Sequence, residues 1–95
     1  MVKFFKSKRP QTLIGIENAY FEAVIKYDLL EEKVVGRIDF GETCSAGEIF
    51  YEKKENATSE DDGYLMSFVY DYETGTSNFI MWDAKNMIQE PLLKA

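Results

Sequence analysis

The sequence predicts an all-β protein whose antiparallel strands form part, one to two blades, of a β-propeller. Tyr64, Met66, Phe68 and Tyr70 alternate with Leu65, Ser67 and Val69, giving a strand with one aromatic and one mostly aliphatic face. That pattern suits a strand covered on both faces within a stack of sheets. A second apolar run from Phe79 to Asp83, holding the only Trp, follows Glu73-Thr74-Gly75-Thr76. The glycine there allows φ > 0, so the two runs read as a hairpin. A strand–turn–strand pattern also recurs. Val24-Ile25-Lys26-Tyr27-Asp28 and a strand to Asp39 parallel Phe68-Val69-Tyr70-Asp71 and a strand to Asp83. The offset from Asp28 to Asp71 falls within the roughly 40–50 residues of a propeller blade.

Residues 1–10 carry Lys3, Lys6, Lys8 and Arg9 around Phe4 and Phe5 and read as an exposed basic tail. They lack the apolar core or Ser-rich tract of a targeting segment. Thr12-Leu13-Ile14-Gly15-Ile16 is a short β-type run that Gly15 weakens, and Glu17-Asn18-Ala19 reads as a turn. Tyr20 to Tyr27 is the next strand. Its face of Phe21, Ala23, Ile25 and Tyr27 is apolar and expected at the core, whereas Tyr20, Glu22, Val24 and Lys26 make a mixed face. A helix over Tyr20–Lys33 competes, since Glu, Ala, Leu and Lys are good helix formers; alternating β-branched and aromatic residues favour the strand.

Asp28 to Lys33 turns the chain, and Val34 to Phe40 returns it. Gly41 to Gly47 is expected as a loop holding Cys44, followed by a short strand Glu48-Ile49-Phe50-Tyr51. Glu52 to Asp62 is polar and reads as a surface loop before the main hairpin. Asn86 to Glu90 is a helical turn or a loop ended by Pro91, and Leu92-Leu93 begins a last strand.

A chain of 95 residues is one domain at most, and at this size only about 60–65% of the unfolded surface is buried. Seven Phe, six Tyr and one Trp supply a globular apolar content. The net charge of −6 argues against a nucleic-acid partner. A single cysteine forms no internal disulfide and points to an intracellular, reducing compartment. No apolar run approaches the roughly 20 residues of a membrane-spanning helix.

The most informative absence is histidine, of which there is none. Ser-His-Asp triads and His-ligated metals are thereby excluded. Glu60-Asp61-Asp62 lacks the alternate ligand positions of a calcium loop and reads as a solvated turn. Cys44, between Thr43 and Ser45, has little nearby to lower its pKa and reads as an inert thiol. Asn56-Ala57-Thr58 matches the glycosylation pattern, which the lone cysteine argues against. Tyr64, Phe68, Tyr70 and Trp82 suit sheet packing or the lining of an apolar channel. Taken alone, Glu48 reads as the start of an edge strand with its carboxylate in water.

Several motifs carry a resemblance. Glu60-Asp61-Asp62-Gly63-Tyr64-Leu65, Phe68-Val69-Tyr70-Asp71, Thr74-Gly75-Thr76-Ser77 and Asp83-Ala84-Lys85 resemble the C-terminal part of the carotenoid cleavage dioxygenase (carotenoid oxygenase) family, in its plant-type branch. The similarity extends through Ala23 to Leu29, Phe40-Gly41-Glu42 and Ala46-Gly47-Glu48-Ile49-Phe50, and covers Tyr20 to Pro91. It implies a seven-bladed propeller, of which residues 11–95 form a partial segment. It also implies oxidative cleavage of a carotenoid or apocarotenoid double bond, in plastid or cytoplasm. The family holds a catalytic non-haem Fe(II) with four histidines on different blades, and none of those positions is present. The last lies in a motif like Arg-Val-Pro-Tyr-Gly-Phe-His-Gly, expected shortly beyond Ala95.

The same resemblance places Glu48 where a glutamate hydrogen-bonds an iron-ligating histidine, an arrangement that fixes a ligand's tautomer and orientation. The expected protein is therefore a segment of such an enzyme, inactive alone and inclined to self-associate. The alternatives are a non-catalytic β-rich interaction module that pairs through open sheet edges, and a small β-barrel binding an apolar ligand.

Overall fold

The computed structural model describes residues 1–8 and 21–95, with residues 7–8 as backbone only. Every regular element among them is a strand. β1 (Val2–Lys8), β2 (Phe21–Asp28) and β3 (Lys33–Asp39) form an antiparallel sheet in that order. β4 (Cys44–Ala46), β5 (Phe50–Lys53), β6 (Gly63–Asp71), β7 (Thr76–Asp83) and β8 (Leu93–Lys94) form a second. Its order is β4-β6-β7-β8, with β5 pairing the other half of the β6 edge that β4 pairs. All pairs are antiparallel.

The two repeated units are the hairpins β2–β3 and β6–β7, and the repeated aspartates have a structural use. Asp28 Oδ1 accepts the N–H groups of Leu30 (2.9 Å) and Glu31 (3.2 Å). Asp71 Oδ1 accepts the N–H of Glu73 (2.9 Å) and the hydroxyl of Thr43 (2.7 Å). Each carboxylate satisfies the turn leaving its strand, the role short acidic side chains favour. Gly75 supplies the positive φ of the second turn (70°), and Glu32 adopts a similar value (52°) in the first.

The sheets stack on a shared core. Val24 and Ile38 of the first sheet meet Leu65, Val69, Ile80 and Trp82 of the second, with Ala46, Ala84 and Met87 completing the cluster. Trp82 is only 2% exposed and lies 5.6 Å from the Phe40 ring, centroid to centroid. Leu65, Ser67 and Val69, the aliphatic face of β6, are all buried here. The opposite face of β6, expected to be covered as well, is open: Phe68 is 63% exposed.

Four expectations are corrected. Residues 2–8 are not a tail but strand β1. Alternation turns Phe4 inward to stack on Tyr51 (5.4 Å) while Lys3 and Phe5 face out. The lysines do not prevent pairing: Lys3 is exposed, and the Lys6 ammonium rests 4.1 Å from the centre of the Phe21 ring. On β2, the face meeting the second sheet is Val24 and Lys26, not Phe21, Ile25 and Tyr27, which are half-buried. Part of the expected loop 41–47 is strand β4, with Cys44, Ser45 and Ala46 paired to Asp71, Tyr70 and Val69. The strand expected from Glu48 begins instead at Phe50. The run Thr12–Ile16, the turn at Glu17–Ala19 and Tyr20 lie outside the described residues.

Candidate functional site

Glu48 sits between β4 and β5. The Gly47 N–H still donates to the Phe68 carbonyl (3.1 Å), continuing the β4 pairing, and the chain then leaves the ladder. Ile49 packs toward the core, so Glu48 projects outward with a side chain 80% exposed. Its carboxylate lies 4.0 Å from the Lys6 ammonium, which also rests 4.1 Å from the centre of the Phe21 ring. Such an exposed pair adds at most about 1 kcal/mol.

The acidic run is not the solvated turn expected. Asp61 reaches Lys26, and Asp62 is buried beneath the loop that follows β5. Asp62 Oδ2 accepts the Thr58 N–H (3.1 Å), and Oδ1 lies 3.4 Å from the Lys54 ammonium. The Thr58 N–H and, beyond the opposing effect of desolvation, Lys54 hold the Asp62 carboxyl below its ordinary value. Burial pushes Asp61 up, yet the hydrogen bonds from Lys26 and Ser59 outweigh it and leave that carboxyl lowered too. Gly63, the next residue, is required: a Cβ there would meet the Tyr51 ring at 2.8 Å and collide with the Glu52 carbonyl.

Lys26, not singled out from the sequence, is the most constrained charged residue described, at 4% exposure. Its ammonium donates to Asp61 Oδ2 (2.9 Å) and to the carbonyls of Ala84 (3.1 Å) and Lys85 (2.6 Å). All three donors are satisfied, so this lysine is a tie between sheets rather than a reactive amine. Its signal in the sequence was a lysine on a strand face bearing Val24. Its partners lie 35 to 59 positions away, where no local pattern reaches.

A cleft of about 440 Å³ is lined by Glu22, Asp39, Gly41 and Glu42. Arg37 bridges two of its carboxylates, lying 2.9 Å from Asp39 and 3.6 Å from Glu22. Cys44 is half-buried, and desolvation with the neighbouring Asp71 raises its thiol pKa, the direction that makes it unreactive. Of the four aromatics considered for an apolar channel, Trp82 is in the core. Tyr64, Phe68 and Tyr70 share the open face of the second sheet.

The residues present do not fit a catalytic iron. The chain has no histidine, and no three Cys, Asp or Glu side chains among the described residues converge in a metal-holding group. A non-haem Fe(II) site needs nitrogen and carboxylate donors gathered about open positions. No described helix is long and apolar enough to cross a membrane.

The described residues are two stacked antiparallel sheets joined by the Lys26–Asp61 tie. Comparison with known proteins assigns the segment to its family. The model for the family described as RPE65, retinal pigment epithelial membrane protein, matches residues 4–95. The chain is 40% identical to the zeaxanthin 7,8(7',8')-cleavage dioxygenase of Crocus sativus over 85% of its own length and 24% of that enzyme's. With the carotenoid 9,10(9',10')-cleavage dioxygenase 1 of Arabidopsis thaliana it shares 38% identity over 73% of its length and 15% of that enzyme's. Among solved structures, the apocarotenoid oxygenase of Synechocystis superposes with a TM-score of 0.72 at 25% identity, over 81% of this chain and 16% of that one. A chimera of that oxygenase and RPE65 shares the fold over 98% of this chain and 18% of its own, with a TM-score of 0.78 at 22% identity. The chain belongs to the carotenoid oxygenase family. It spans about a quarter or less of the curated relatives it matches.

Proposed function

We propose that this chain is a propeller segment of a plant-type carotenoid-cleaving dioxygenase, contributing one to two blades and no iron ligand. The observation that carries this reading is the family match over residues 4–95 in a chain without histidine. Fe(II) and the carotenoid or apocarotenoid substrate belong, on this reading, to the complete enzyme. The chain alone then neither holds the metal nor cleaves a polyene. Plastid residence is supported by chloroplastic relatives such as the 9-cis-epoxycarotenoid dioxygenase NCED1 of rice, 43% identical over 55% of this chain.

Glu48 is proposed as the carboxylate that orients an iron-ligating histidine supplied by another part of the enzyme. Its exposure and the length of its ion pair with Lys6 are compatible with that use.

A chimera tests the reading. The matched segment of the Arabidopsis relative is replaced by residues 4–95, and iron content and apocarotenoid formation are measured. Retention of both supports the proposal; a folded, soluble chimera lacking both overturns it. The purified chain alone should hold no stoichiometric Fe(II) through gel filtration and show no turnover above buffer. The open aromatic face favours a second reading, a non-catalytic module that associates with itself or another chain.

A further inference from the structure

We draw no further inference here: the strongest candidate, the open face of the second sheet with Phe68 and Phe79 at its centre, carries nothing because nothing in the structure shows what covers it.

Discussion

Lys26 Nζ lies 2.9 Å from Asp61 Oδ2, joining the middle strand of one sheet to the loop that enters the main strand of the other. The carbonyls of Ala84 and Lys85 accept its other two protons. Removing one partner of such a pair strands the other, which costs more than the intact pair contributes. Lys26→Ala should therefore destabilise the chain by about 3 kcal/mol. Asp61→Asn, which keeps a hydrogen-bond acceptor, should cost about 1–2 kcal/mol. Urea denaturation at one fixed protein concentration measures both; a Lys26→Ala loss under about 1 kcal/mol would contradict the assignment.

The carboxylates set the acid limit of the fold. Asp61 and Asp62 are lowered from an ordinary value of 3.8, as are Asp28 and Asp71, held by the Glu31 N–H and the Thr43 hydroxyl respectively. A carboxyl lowered in the folded state binds fewer protons there than in the unfolded chain. Its stabilisation is present above the unfolded value and disappears as pH falls through the folded one. The urea midpoint should hold steady from neutral pH to about 5 and fall below about 4. Asp61→Asn should flatten part of that fall. A midpoint unchanged down to about pH 3 would show that these contacts do not form.

The same contacts mark where the sequence was readable. The β6–β7 hairpin was legible because alternation, a glycine turn and an apolar return strand agree over adjacent residues. The repeat was legible because Asp28 and Asp71 serve the same local turn role. The inward face of β2 was not, because Lys26 reads as polar until Asp61 and two distant carbonyls are known to surround it. β1 was obscured by its lysines, and β4 by small residues with weak strand preference. Of the candidate site, Glu48 was placed at a strand start, whereas the chain leaves the ladder between Gly47 and Phe50.

Gly36 and Met87 make a second joint between the sheets. A Cβ on Gly36 would lie 2.8 Å from Met87 Cβ and collide with its Cγ. Met87 is buried in the core cluster and holds a positive φ of 50°, so it has little freedom to withdraw. Gly36→Ala should cost about 1–3 kcal/mol by overpacking. In a Met87→Ala background the same substitution should cost much less, since the clashing atoms are gone. Equal costs in both backgrounds would mean that the joint is not the cause.

Glu48 allows the proposed role in a complete enzyme to be told apart from any role in this chain. Its side chain is 80% exposed and its ion pair to Lys6 is 4.0 Å long. Little stability rests on it, so Glu48→Gln should shift the stability of this chain by less than about 0.5 kcal/mol. Within the chimera with the Arabidopsis relative, the carboxylate is proposed to orient an iron-ligating histidine. There the substitution should lower iron affinity or turnover about 10–100-fold. Iron content read alongside the thermal melt distinguishes this from general damage, because an orienting residue moves the metal and leaves the fold intact. A chimera carrying Glu48→Gln with unchanged iron content and turnover would remove Glu48 from the site and leave it a surface residue beside Lys6.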